Sequence, residues 1–458
     1  MRRPAHGPRR LLPLLTAHPL VSAPFPEDPV TAADTAPIQT ESPTGRSSGA
    51  RAWIVTGLLV AFMMVNFADK SVLGLAADEI RADMGLSATD FGLANSAFFL
   101  LFSVAAGAVG LLADRVRPKL LLLAMALLWS VAQTPAALGG GLAVLIGSRV
   151  LLGAAEGPAF PVAQQAALSW FPNHRRNLPG ALVTLGVTLG VITAAPGLTW
   201  VIHHHGWRAA LWVVAAAGAL WALLWAVFGA DGTYRTDTAE ALSSEPAVKP
   251  AYRRILGTRT WIGTTAAYFT SYWAVALMLV WLPSYLRNGL GHSSDAAGRL
   301  IVLPWVVGAV ALLGQAALTG WLMRRGVSSR WARGRVGGSL LLIGAIACLA
   351  VPLADGATAK TALLAVGFGL GGSFATVAAT TVAELAPPAR RGGALGTMNA
   401  TVTTAGLIAP AVVGSLVDSH GAAGYQTAVV LSGALLLLGA LAAFTLIDPA
   451  RDALRPSV

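Results

Sequence analysis

The chain has 458 residues, 55% of them hydrophobic and only 12% charged. A soluble protein carries about 25% charged residues, so an assembly of soluble domains is excluded. The net charge of +11 raises a nucleic-acid reading, but the positive residues are spread in short clusters between apolar stretches, and no nucleic-acid partner is expected. One cysteine, Cys348, leaves no internal disulfide and no cysteine-rich metal site.

Residues 1–50 are rich in Pro, Ser, Thr and Ala and lack helical periodicity, which reads as a disordered tail. Arg9-Arg10 before Leu11-Leu12-Pro13-Leu14-Leu15 is a faint signal-peptide pattern, too short and too Pro-broken to be one. From Trp53 on, apolar stretches long enough to cross a bilayer recur near 53–76, 91–113, 119–138, 142–168, 179–201, 207–229, 261–286, 299–323, 334–354, 359–385, 393–417 and 425–447. The spacing predicts twelve transmembrane helices, since lipid offers the backbone no hydrogen-bond partner. The longest polar interruption follows the sixth span. The expected organisation is therefore a tail (1–50), a six-helix bundle (51–230), a cytoplasmic central loop (231–260), a second, pseudo-symmetric six-helix bundle (261–448) and a short tail (449–458).

Most of the 32 Lys and Arg residues fall in the tails and in the loops after spans 2, 4, 6, 8 and 10. Arg81, Arg208, Arg287, Arg299 and Lys360 fall on the other side. Lys and Arg concentrate in cytoplasmic loops, so both termini are expected in the cytoplasm. The expected setting is a bacterial-type plasma membrane, with anionic lipid headgroups as neighbours.

Four ionisable residues lie inside spans: Asp69 and Lys70 in span 1, Arg149 and Glu156 in span 4. Each is costly in hydrocarbon, at least about 2.5 kcal/mol at the bilayer centre, and such residues face a bundle interior or a cavity. Two acids and two bases make a set that can be neutral overall. Asp69 and Lys70 project about 100° apart and cannot face each other, so one can meet a cavity while the other meets a neighbouring helix. Arg149 and Glu156, seven residues apart, share one helix face. Pro158 and Pro161 are expected to kink span 4 just after Glu156. The functional reading makes Asp69 and Glu156 proton sites and Lys70 an anion contact; the alternative is a set of buried ion pairs that only fix packing. Arg149 is open to both readings.

The loop after span 2 reads Gly110-Leu111-Leu112-Ala113-Asp114-Arg115-Val116-Arg117-Pro118-Lys119. An acid at a helix end beside basic residues can latch one conformation and release in another, which makes Asp114 and Arg115 gating candidates; a plain positive loop with one acid is the alternative. At this place in a 6+6 chain the pattern resembles the signature of the major facilitator superfamily, although the usual Gly-Arg is here Arg117-Pro118. The copy after span 8, Gly320-Trp321-Leu322-Met323-Arg324-Arg325, lacks the Asp. Over residues 60–450 there is a narrower resemblance, carried by Asn66-Phe67-Ala68-Asp69-Lys70, by Arg149 through Glu156-Gly157-Pro158-Ala159-Phe160-Pro161, and by Trp170-Phe171-Pro172, Gly206-Trp207-Arg208 and Trp281-Leu282-Pro283-Ser284-Tyr285-Leu286. These resemble the anion:cation symporter family, which includes hexuronate and galactonate importers and sialin-like proteins.

That resemblance implies that Asp69 and Glu156 are the proton-linked acids. It also implies that Lys70 replaces an Arg that meets the substrate carboxylate, giving a point charge in place of a planar fork. Positions often Tyr or Gln in sugar-acid members are Phe102, Val187 and Ala276 here; Asn399 matches a retained Asn, and Thr403 stands where a second Asn is common. Fewer hydroxyl and amide partners disfavour a polyol, whose groups would be buried unpaired. A less hydroxylated organic anion is expected. Tyr268, Tyr272 and Trp273 are further candidates for the cavity wall, aromatic packing being the alternative. His203-His204-His205 looks metal-like but has no obvious carboxylate partner, and no metal is expected. Glu384 near Arg390-Arg391 reads as a helix-end ion partner.

The expected function is proton-coupled symport of a small organic anion by alternating access, with sodium left open as the coupling ion, no cofactor and a monomeric state. An exporter of a drug or anionic metabolite by proton antiport is the alternative. A membrane enzyme is not expected: all eight His residues lie in tails or loops, and no hydrolase, metalloprotease or nucleotide-binding motif appears.

Overall fold

In the computed structural model, residues 45–112, 116–171, 177–232 and 252–452 are described. Their apolar stretches form the expected spans: α1 (Gly49–Leu75), α2 (Ala88–Ala106), α3 (Pro118–Leu138), α4 (Leu142–Leu168), α5 (Leu178–His205), α6 (Trp207–Phe228), α7 (Arg259–Val280, then Leu282–Gly289), α8 (Ser294–Arg324), α9 (Arg330–Leu353), α10 (Gly356–Leu385), α11 (Gly392–His420) and α12 (Ala422–Leu446). Twelve spans result when the two parts of α7, bent by 57°, are taken as one. Asp114 and Arg115 lie outside the described residues, as do all or most of the expected tails and central loop.

Several helices break where the sequence places proline. α4 is interrupted at Gly157-Pro158, leaving Glu156 at the end of its first segment. α3 is interrupted at Gln133, just before Thr134-Pro135. α7 bends at Trp281, ahead of Pro283. Proline removes a backbone donor and crowds the preceding turn, so each break is local and built in.

The first six helices are knit by aromatic packing. Phe62 of α1 lies 4.8 Å from Trp129 of α3 and 4.6 Å from Trp221 of α6, ring to ring. Two buried indole N–H groups bond backbone carbonyls: Trp221 to Leu58 at 2.7 Å and Trp225 to Lys119 at 3.0 Å. The halves repeat one device. Asp231, after α6, accepts the Lys119 backbone N–H at the start of α3; Asp448, after α12, lies 3.6 Å from Arg330 at the start of α9. Beyond α12, Asp452 accepts from the Thr260 N–H at 2.9 Å and its hydroxyl at 2.8 Å. The Arg451 guanidinium bonded to it holds its carboxyl down at about 2. Glu384 pairs with Arg333 of α9.

Glycines bring the halves into backbone contact. A Cβ on Gly74 of α1 would stand 1.8 Å from the Leu279 carbonyl oxygen of α7, and one on Gly92 of α2 2.3 Å from that of Pro410 in α11. Polar contacts seal the face that carries the loops after odd-numbered helices. Arg287 of α7 lies 2.7 Å from Glu79 and 3.0 Å from Asp78, in the first turn of a short helix (Ala77–Met84) that joins α1 to α2. Asn288 also donates to Asp78. Asp418 of α11 accepts the backbone N–H groups of Ala88 and Thr89, at 2.8 and 2.7 Å, capping the first turn of α2.

Candidate functional site

Lys70 sits one helical turn beyond Asn66, whose side-chain oxygen accepts from its ammonium. Its Nζ lies 2.9 Å from Oε2 of Glu156 on α4; the lysine side chain is 10% exposed and the glutamate fully buried. Three phenyl rings surround the same nitrogen, with centroids at 4.6 Å (Phe67), 5.5 Å (Phe102) and 5.9 Å (Phe98). Ring faces attract a cation, most strongly where water is excluded.

Asp69 points a different way from Lys70, as their 100° offset requires. It is 1% exposed and accepts from Gln133 of α3 at 3.0 Å. Its carboxyl also adjoins that of Glu156, and Arg149, 4% exposed, lies within electrostatic reach of both acids without closing an ion pair to either, its Nε buried and unpartnered. Two acids and two bases are therefore gathered among α1, α3 and α4, and their formal charges cancel. Burying charges is tolerable only when they are paired.

The spacing of two glycines assembles this cluster. A Cβ on Gly153 would lie 1.8 Å from the Phe98 carbonyl oxygen, and one on Gly157 would lie 2.1 Å from that of Phe102. Small residues four apart let membrane helices touch along their backbones. Here they press α4 against α2 at Phe98 and Phe102, two of the three residues whose rings enclose Lys70, and Glu156 lies between those glycines.

The other expected site residues divide. Phe102 is part of the Lys70 enclosure. Val187 of α5 is half-buried between the two main apolar clusters. Tyr268 and Tyr272 stand edge to face at 6.3 Å, and Tyr272 meets Phe99 of α2 at 6.0 Å, so Tyr272 reaches the first half. Trp273 does not join them: 5% exposed, it turns into the second half, where its N–H donates to Ser432 of α12 at 3.2 Å. One residue along a helix is a rotation of about 100°, which separates Trp273 from Tyr272. Asn399 is half-buried on α11. The Thr403 hydroxyl is engaged with Ser103 of α2 and with its own helix backbone. Among the described residues no His, Cys, Asp and Glu cluster could hold a metal ion.

Sequence reasoning quoted Asn66 and Phe67 for the family resemblance without giving them a role, and did not single out Phe98, Gln133 or Trp305. The four-residue spacing of Asn66 and Lys70 was a usable signal. Gln133 had one too, as a polar residue before a proline-bearing turn inside an apolar span. Trp305 of α8 reaches the site only through the fold, its ring edge-on to Phe67 at 6.2 Å.

Twelve membrane-length helices around a buried, balanced charge cluster define a multi-pass integral membrane protein with the build of a secondary transporter. The chain belongs to the Major Facilitator Superfamily, whose model matches residues 58–381 and 361–457. It is 29% identical over 411 residues to the probable sulfoacetate transporter of Cupriavidus necator, covering 85% of this chain and 92% of that one. It is 27% identical to the D-galactonate transporter of Escherichia coli, over 87% of this chain and 96% of that one. Against the hexuronate transporter of Bacillus subtilis identity is 27%, over 83% and 90% of the two chains. Among solved structures, an inward-facing, unoccupied bacterial homolog of human Spinster superposes with a TM-score of 0.72 at 19% identity, over 89% of this chain and 99% of that one. The D-xylose-proton symporter gives 0.69 at 15%, over 87% and 99%. The resemblance read from the sequence thus holds for the superfamily, and these sugar-acid transporters are among the chain's relatives.

Proposed function

We propose that this protein is a proton-coupled symporter of a small organic anion, a carboxylate, in the plasma membrane. The observation that carries this reading is the Lys70–Glu156 ion pair with Asp69 beside it. While Glu156 is ionised, Lys70 is neutralised from within. A proton on Glu156 releases the ammonium for the substrate carboxylate, so proton and anion bind together. The empty cluster is neutral, and it is neutral again with one proton and one monovalent anion bound. A half-loaded cluster carries a net charge through the membrane interior, at a cost of several kcal/mol. Coupling follows from that difference, with one proton expected per negative charge on the substrate.

The relatives' named substrates support an anion. Phe102, Val187 and the buried Ala276 supply no hydroxyl or amide to a polyol, which favours a compact, sparsely hydroxylated anion. The seal at the odd-loop face supports alternating access, with this state closed on that side.

The test uses purified protein in sealed liposomes with an internal pH dye and a panel of organic anions. Internal acidification triggered by one anion, and lost in Asp69→Asn and Glu156→Gln, is the expected result. Labelled anion crossing with no proton movement would overturn proton coupling and leave sodium coupling or exchange.

A further inference from the structure

The second half presses one polar group against the Lys70 site and gives it nothing to bond. Trp305 of α8 is 8% exposed, and its indole N–H is buried without a hydrogen-bond partner. An indole nitrogen is a donor only. The ring stands edge-on to Phe67, whose own ring lies against the Lys70 ammonium. Its backbone is held in place: a Cβ on Gly369 of α10 would stand 2.7 Å from the Pro304 carbonyl oxygen, so α8 and α10 touch at this level.

Across Phe67 the first half offers a second unfilled donor. The Asn66 oxygen is committed to Lys70, which fixes the amide's orientation and leaves its Nδ2 buried and unpartnered. The Lys70 ammonium beside it bonds Asn66 and lies 2.9 Å from Glu156. Two unpartnered donors, one from α1 and one from α8, flanking that ammonium are a complement to an anion with oxygens at both ends. A buried unmade hydrogen bond is a penalty that such a ligand removes.

We infer that Trp305 is the second-half hydrogen-bond donor to the carried anion. With one carboxylate on Lys70 and Asn66, the indole N–H takes an oxygen of a second anionic group beyond the Phe67 ring. The site thereby selects a compact bifunctional anion, a carboxylate bearing a second carboxylate or a sulfonate a few bonds away. Because Lys70 and Trp305 lie on opposite halves, only such a ligand joins them. This rests on the reading of Lys70 as the anion contact.

The experiment compares sulfoacetate, succinate and propionate in proteoliposomes made with wild type, Trp305→Phe and Lys70→Ala. Trp305→Phe keeps an aromatic ring and removes the N–H along with the rest of the pyrrole ring, so propionate serves as the control for the lost volume. The expected result is a KM about tenfold higher for sulfoacetate or succinate, with propionate unchanged. An equal change for all three, or no change for any, overturns the role of Trp305. Should that variant fail to fold, wild type alone decides: propionate binding as tightly as succinate and sulfoacetate means no second donor is engaged. If Lys70→Ala leaves uptake of every anion unchanged, the underlying reading of the site fails instead, and the inference falls with it.

Discussion

The first six helices bury Asp69, Lys70, Arg149 and Glu156. Facing them, the second half offers Tyr268, Tyr272, Trp305, Asn399 and Thr403, and its charged groups among the described residues sit near helix ends. The fold is pseudo-symmetric and its polarity is not. This arrangement has an energetic consequence. Breaking a buried pair costs about 3–5 kcal/mol, and the one buried ion pair among the described residues, Lys70–Glu156, lies within one half, so moving one half against the other leaves it intact. The ion pairs that do cross between the halves, Arg287 with Asp78 and Glu79, sit at the partly exposed rim. Pairs of that kind are worth about 0–1 kcal/mol each. The rocking of the halves proposed above would therefore strain only the rim pairs, and the Lys70–Glu156 pair would be opened by protonation and not by the movement.

The sharpest way to break this comparison is to unbalance the first half. Lys70→Ala leaves Glu156 buried with its nearest cation gone, and should destabilise the protein by about 3–5 kcal/mol while abolishing anion uptake. Lys70→Ala with Glu156→Ala should recover thermal stability but not uptake. A double variant as unstable as the single one would show that the pair is not the stabilising unit. Of intermediate size is Gly153→Ala, whose new methyl meets a backbone carbonyl at 1.8 Å and has no room to move. A loss of about 1–3 kcal/mol is expected in thermal unfolding. Gly57→Ala, with nothing within 4 Å, serves as the neutral control. Equal melting temperatures would mean that α2 and α4 do not need backbone contact. The smallest effect is at the rim. Arg287→Ala should open the odd-loop face about fivefold more often, the equivalent of about 1 kcal/mol. Cys348, buried and the sole cysteine, can be replaced by Ala and a Ser284→Cys reporter introduced at that face. Its labelling by an impermeant thiol reagent reads the opening, and an unchanged rate would show that Arg287 does not hold the seal.

Much of this was legible before any fold. Span positions follow from apolar length alone, because a bilayer leaves the backbone no other structure. The four intramembrane charges announced themselves by their cost, and Pro158 marked the break after Glu156. Other features were out of reach. Trp273 and Tyr272 are adjacent and equally aromatic, yet one packs on Ser432 and the other on Phe99; only helix rotation separates them. Glu384 is near two arginines in sequence and pairs with a third from another helix. The Gly153–Gly157 spacing is common in membrane helices, and nothing in its letters says that it docks on Phe98 and Phe102, two of the three residues that enclose Lys70. The sequence by itself determined the membrane setting, the number of spans and which side chains must be buried together, since these depend on local hydropathy and the cost of isolated charge. Only the tertiary structure decided which partners those charges take and that Trp305 meets them from the other half, since helix rotation and close approach are set by packing between segments far apart in the chain.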